Sequence, residues 1–268
     1  MEQSKIVLIG AGNVAHHLAG AILQAGGNLC QIYSRSIESA RALGTRTGVT
    51  YATDPCEVIP DGDVYIYCVS DDALPSVLKS VKVKGAPLFL HTSGSLPAEI
   101  LKPRARDYGV IYPLQTFSRA RDLDFREIPL FIEASSPAVR ERLWRLCEEL
   151  SDALYPTCFE QRRRLHLAAV FACNFPNALY RVASGLLEGA DLPFSVLRPL
   201  IFETASKVMT LSPAEAQTGP AARGDEQTIA AHKKQLKAID AEALTLYALL
   251  TGIIQRGAGE NNNENETT

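Results

Sequence analysis

Gly10, Gly12 and Ala15 stand in the order GxGxxA directly after the apolar run KIVLI and directly before a stretch with helical periodicity that starts near Asn13. Few short patterns constrain a chain so tightly. The first glycine permits a turn too sharp for other residues, and the second lets the backbone approach a pyrophosphate. The small residue at position 15 lets the helix pack closely on the strand. Free backbone N–H groups at the start of that helix then face the phosphates. Gly10, Ala11, Gly12, Asn13 and Val14 are therefore read as the phosphate loop of a bound dinucleotide.

What surrounds the motif fits that reading. Short, nearly continuous apolar runs recur at residues 5–10, 29–34, 63–70, 86–93, 109–114 and 129–134, as expected of strands buried on both faces. Helical segments between the early runs imply right-handed crossovers and a doubly wound parallel sheet. Leu143, Leu146, Cys147 and Leu150 form one stripe of a covering helix, to whose packing Trp144 also belongs. From about Glu160 the pattern is helical only, over residues 160–188, 193–211, 225–238 and 240–255, with Pro176 expected to kink the first. The fold class is α/β, a Rossmann domain over 1–157 followed by an all-α domain over 158–257. A polar tail at 258–268 is expected to be disordered.

The end of the second strand selects among cofactors. An NAD site wants an acidic residue there to accept from the ribose 2′-OH. This chain has Tyr33, Ser34, Arg35 and Ser36, with no carboxylate before Glu38. A guanidinium flanked by hydroxyls suits the 2′-phosphate of NADP, so Ser34, Arg35 and Ser36 are assigned to it. Val69 and Ser70 after the third strand, and Thr92, Ser93 and Gly94 after the fourth, complete the crevice where an open sheet presents its carboxyl ends.

Other function classes are disfavoured. A net charge of −3 over 268 residues gives no basic field for nucleic acid, and no apolar stretch is long enough for a membrane span. MEQSKIVLIG lacks the flanks of a signal peptide. The six cysteines include no CxxC pair, so reduced thiols, a cytoplasmic location and no metal site are expected. His16 and His17 are adjacent on a helix and point apart, which rules out joint chelation; His17 is read as a helix-surface residue. Arg162, Arg163 and Arg164 read as a solvated or interfacial cluster.

The segments GAGNVAHHLA, HTSGSLPAEIL, YPLQTFS, RLHLAAVFACNF and QTGPAARGDEQTIAAH together resemble the Rossmann-like family with a C-terminal domain of unknown function, DUF2520. That family lies in the wider group of pyrroline-5-carboxylate reductase, 6-phosphogluconate dehydrogenase and F420-dependent NADP oxidoreductase. The resemblance spans about residues 5–255 and implies an NADP oxidoreductase. One departure is visible: Tyr112–Pro113 stands where the family is expected to read His-Pro. In 3-hydroxyacid dehydrogenases of the wider group a lysine precedes an asparagine by four residues. Here Val170 takes that place before Asn174, which disfavours that route to alcohol or ketone chemistry and leaves imine reduction open.

His166, Val170, Cys173 and Asn174 share one side of the first long helix at i, i+4, i+7 and i+8. Asp225, an N-cap, lies on one face of its helix with Thr228 and His232, close to Arg223. His166 and His232 are the proton-transfer candidates, with His166 ranked first, and Asn174 and Asp225 are the groups that would orient them. The expected function is hydride transfer between NADP and a small imine or carbonyl compound held between the domains. The alternative is a non-catalytic NADP-binding regulator or sensor. Substrate identity, and F420 as a co-substrate, stay open. The apolar residues of the 240–255 helix exceed one stripe, which points to a homodimer through the helical domain.

Overall fold

Strand β1 (Ile6–Ile9) sets the architecture, because all four of its residues are buried. Successive side chains of a strand point to opposite faces, so such a strand must be covered on both. Ile6 and Leu8 pack in one core with Ala15, Leu18, Ala19 and Ile22 of helix α1 (Asn13–Gln24). Val7 and Ile9 pack in a second core across the sheet, reached by Leu74, Val77 and Leu78 of a later helix. Each fully buried Val, Leu or Ile is worth roughly 1.5–3 kcal/mol, so the double core dominates the stability of this layer.

A computed structural model of the chain describes residues 4–265. After α1 the chain forms β2 (Leu29–Tyr33), α2 (Ile37–Thr47), β3 (Tyr51–Ala52), β4 (Val64–Tyr67), α3 (Leu74–Ser80), β5 (Leu88–His91), β6 (Asp107–Pro113), β7 (Leu130–Ala134), α4 (Pro137–Cys147) and β8 (Leu154–Pro156). The sheet order is β3-β2-β1-β4-β5-β6-β7-β8. β1 pairs in parallel with both β2 and β4, so the chain winds one way from β1 and then returns to wind the other. That reversal opens a crevice at the carboxyl ends of β1 and β4.

The sheet departs from the expected all-parallel order at one place: β6 and β7 pair antiparallel, Gly109 opposite Ala134 through Pro113 opposite Leu130. The cause is the connection between them, residues 114–129, whose one helical element is a short 3₁₀ turn at Phe125–Glu127. A parallel return needs a full crossover. β3 and β8 were not foreseen. With two and three residues at the sheet edges, they are too short for a periodicity signal.

Two compact units divide the chain, Met1–Phe175 and Pro176–Thr268. The first unit takes in α5 (Phe159–Ala169), whose Arg162 and Leu165 are packed against the sheet, so this division lies C-terminal to the boundary expected at 157. Helix α5 runs through a π-helical turn at Val170–Asn174 into α6 (Phe175–Glu188). Pro176 explains the turn. Proline has no N–H, and its ring crowds the carbonyl four residues back. A wider i→i+5 turn just before it relieves both problems.

The second unit contains α7 (Arg198–Lys207), the short α8 (Pro213–Ala216), α9 (Glu226–Ile239) and α10 (Ala241–Asn265). No proline follows Ile254, and α10 continues past Gly257 and Gly259 to Asn265, through most of the stretch expected as a disordered tail; residues 266–268 lie outside those described. Among the described residues, no helix is long and apolar enough to cross a membrane.

Candidate active site

At the crevice the loop after β1 behaves as its sequence requires. Gly10 has φ +121°, and a Cβ there would stand 2.2 Å from the carbonyl oxygen of Cys68, so only glycine fits between β1 and β4. A Cβ at Gly12 would meet nothing within 4 Å, which leaves that side of the loop open to a ligand. Gly12 caps α1 with an extended backbone and no capping side chain, so the helix N–H groups stay available. Ala15, on the face of α1 that packs against the sheet, is fully buried.

A cavity of about 490 Å³ opens here, lined by Gly10, Ala11, Gly12, the Tyr33–Ser36 run, Val69 and Ser70. Arg35 is exposed at its rim, and among the described residues no carboxylate forms an ion pair with it. Ser36 caps α2, its hydroxyl accepting from the Ser39 N–H at 3.2 Å and donating to Glu38 at 2.8 Å. The Glu38 carboxyl is held below its ordinary pKa by its own backbone N–H and by that hydroxyl. It belongs to the first turn of α2 rather than to the end of β2, so the position that selects NAD carries no acid. Arg119, which belongs to no motif, also lines this cavity, its guanidinium donating to the carbonyl of Ala11.

The other residues assigned to the cofactor do structural work or lie beside this cavity. Asn13 donates to the carbonyl of Phe117 at 3.0 Å, and Val14 packs against the core. Thr92 is buried, and its hydroxyl tempers the burial that pushes the Cys68 thiol up to about 12. Ser93 accepts from the N–H groups of Ser95 and Leu96 and so closes the turn after β5.

Under that turn lies an arrangement that the sequence hid. Arg162 is fully buried rather than solvated. It donates to Glu133 Oε2 at 2.9 Å, to the carbonyl of Ser93 at 2.6 Å and to that of Leu96 at 2.8 Å. The planar fork suits several acceptors at once, and burial of the charge is tolerable because it is paired and hydrogen-bonded. Its setting is β7 on one side and the β5 turn on the other, which fixes α5 against the sheet. His91 braces the same turn from below, accepting from the Ser93 N–H at 3.1 Å and donating to the Pro97 carbonyl at 3.3 Å. Burial, with Arg162 adding to it, lowers its pKa to about 4, so the ring is neutral as this bonding pattern requires.

One turn along α5 from Arg162 comes His166. Its imidazole sits on Gly94, where an added Cβ would stand 2.6 Å from Cγ. Its Nδ1 is 3.0 Å from the hydroxyl of Tyr112, with the rings edge to face. Tyr112 is the residue that departs from the expected His-Pro. Burial raises its pKa, so the phenol remains protonated at neutral pH. His166 is half-buried, and this side-chain contact takes the place of the backbone-carbonyl bonding that would have marked a sealed core histidine.

Two of the remaining candidates have partners of their own. Asn174 lies exposed in the π-helical turn, whose wider spacing breaks the i, i+8 relation to His166, and the partner of His166 is Tyr112 instead. Asp225 caps α9, accepting from the Thr228 N–H at 3.1 Å and hydroxyl at 2.7 Å, and these bonds lower its pKa. His232 bonds the Tyr247 hydroxyl at 3.0 Å, so its ring is oriented by a phenol and not by Asp225. His17 is buried, correcting the surface reading; its Nε2 donates to the Ser118 carbonyl at 3.0 Å.

A β1–loop–α1 unit of this geometry at the reversal point of a doubly wound sheet defines a Rossmann-type protein. Residues 5–88 match the family model for coenzyme F420-dependent NADP oxidoreductases, and residues 128–254 match DUF2520, a domain of unknown function. No curated protein matches the sequence. Among solved structures, the Bacteroides fragilis protein BF3122, provisionally named an NADP oxidoreductase, is 44% identical, with a TM-score of 0.89 over 95% of this chain and 99% of its own. Protein TM1727 from Thermotoga maritima is 26% identical, with a TM-score of 0.77 over 95% of this chain and 99% of its own. A reductive aminase from Aspergillus terreus, in complex with NADPH and ethyl-5-oxohexanoate, shares the fold at 16% identity and a TM-score of 0.68, over 96% of this chain and 94% of its own. The chain belongs to the family of NADP-dependent oxidoreductases that carry a C-terminal DUF2520 domain, and NADP is that family's cofactor.

Proposed function

We propose that the chain is a reductase that uses NADPH to reduce a small imine or carbonyl compound, with His166 as the proton-transfer residue. The observation that carries the reading is the His166 imidazole seated on Gly94 at the carboxyl end of β5 and hydrogen-bonded to Tyr112. The residues fit the cofactor. The glycine loop and the N-terminus of α1 would hold the pyrophosphate, Arg35 with Ser34 the 2′-phosphate, and Ser93 with Gly94 the nicotinamide end. NADPH, when bound, supplies a hydride.

The protein's own part is the proton. The Tyr112 hydroxyl can donate to Nδ1 of a neutral imidazole and accept from Nδ1–H of a charged one. The contact therefore survives both protonation states and leaves Nε2 for the substrate. In the reductive direction the Nε2 proton of the imidazolium passes to the substrate nitrogen or oxygen, and the ring returns to neutrality. Oxidation runs the same path backwards. An imine reaches the electrophilic state by simple protonation, so it asks less of a site without a lysine. The similar folds named as a reductive aminase and as an imine reductase from Streptomyces aurantiacus are consistent with that choice.

A panel of imines and carbonyls with NADPH tests the reading. NADPH oxidation with any member supports it, whereas dinucleotide binding without turnover across the panel favours the regulator. The cofactor preference has its own test. A charge-assisted contact is worth about 1.5–3 kcal/mol, so Arg35→Ala is expected to weaken NADPH binding about tenfold or more and to leave NADH nearly unchanged. Equal wild-type affinities for the two would contradict the assignment.

The dimer is also part of the proposal. Leu249 and Ile253 of α10 are 60% and 49% exposed, more than a helix with that many apolar residues usually leaves in water. Light scattering at micromolar concentration is expected to give twice the chain mass of 29.1 kDa; a species at the chain mass alone would contradict it.

A further inference from the structure

The connection from β6 to β7 is long and irregular, yet three consecutive residues of it are stitched to the phosphate loop and the first turns of α1. Asn13 donates to the Phe117 carbonyl at 3.0 Å, and His17, one turn further along the same face of α1, donates to the Ser118 carbonyl at 3.0 Å. Arg119 donates to the Ala11 carbonyl. The Phe117 ring reinforces the seam, lying 5.2 Å from the His17 ring and stacked at 6.3 Å on Phe125. A segment tied at successive residues to a helix and its leading loop forms a fixed strap, and the residue it delivers is held in place.

That residue is a cation. Arg119 reaches the cavity wall formed by Gly10, Ala11 and Gly12, and among the described residues no carboxylate forms an ion pair with it. One carbonyl occupies only part of a guanidinium with five N–H donors. Its anchor, Ala11, lies between the two glycines that admit a pyrophosphate, whereas Arg35 stands at the end of β2, where the adenosine ribose is read. We infer that Arg119 is a pyrophosphate-binding residue, a cation brought to the glycine loop by the β6–β7 strap and separate in role from Arg35. The inference rests on the reading of this cavity as the dinucleotide site.

The two arginines are separable because NADPH and NADH share a pyrophosphate and differ in the 2′-phosphate. Calorimetric titration of the full chain with each dinucleotide is expected to show that Arg119→Ala weakens both about tenfold, leaving their ratio unchanged. The loss should shrink as salt is raised, because screening weakens a phosphate contact. Arg119→Lys, which keeps the charge, should recover part of the affinity; it also carries the test if the alanine variant fails to fold. Loss of NADPH affinity alone, affinities within twofold of wild type, or a loss indifferent to both lysine and salt would overturn the inference. Wild-type protein that binds neither dinucleotide would instead overturn the reading of the cavity itself, and this inference with it.

Discussion

His166→Ala is expected to lower turnover by about 10²–10⁴ while leaving NADPH affinity within a few-fold of wild type. The imidazole is the titratable group that α5 brings onto Gly94, and in the proposed reaction it alone exchanges a proton with the substrate. The cofactor cavity is lined by other residues, so binding survives the substitution. Tyr112→Phe should cost less, because it removes the orienting hydroxyl and leaves the imidazole. Steady-state kinetics on the first substrate that consumes NADPH provide the check. Turnover of His166→Ala within about fivefold of wild type would remove His166 from the mechanism.

Arg162→Ala is expected to cost about 3–5 kcal/mol of stability, as is typical when one partner of a buried ion pair is removed and the other is left uncompensated. Glu133 would be stranded at 12% side-chain exposure, and the carbonyls of Ser93 and Leu96 would lose their donors. For a chain of this size that corresponds to a fall of roughly 10 °C in the melting temperature of the sheet-containing unit. The paired change Arg162→Met with Glu133→Leu should regain part of the loss, since it takes both charges out of the interior. A solvated arginine would be worth under about 1 kcal/mol, so a melting temperature within about 2 °C of wild type would show that the network does not hold α5 in place.

These two residues mark where the sequence stops being readable. The glycine loop was legible because its physics is local. The turn, the close approach to Cys68 and the exposed helix start follow from positions 10 to 15 and the strand before them. The place of Arg35 beside that loop was legible for the same reason, since it stands at the end of a strand whose position the motif sets. Arg162 was not, because in a run of three arginines nothing distinguishes the one that turns inward. Its acid partner lies 29 positions away on β7. The Tyr112–His166 contact joins positions 54 apart, which no periodicity can pair. Pro176 announced a disturbance of the long helix correctly, but the π-helical turn that resolves it also shifted Asn174 out of the relation that an uninterrupted helix would have given it with His166. The antiparallel β7 was missed because strand signals carry no direction; direction has to be inferred from the connection, and residues 114–129 hold no crossover helix.

In the proposed reaction, hydride and proton transfer both take place at the end of β5, beneath His166. A crystal structure of the full chain with NADPH addresses this placement without a known substrate. The 2′-phosphate is expected at Arg35, the pyrophosphate on the glycine loop, and the nicotinamide against Ser93 and Gly94, with Nε2 of His166 within hydrogen-bond reach, directly or through one water, of the space where a substrate heteroatom would sit. A nicotinamide directed away from β5, or a His166 Nε2 closed off from that space by protein, would contradict it.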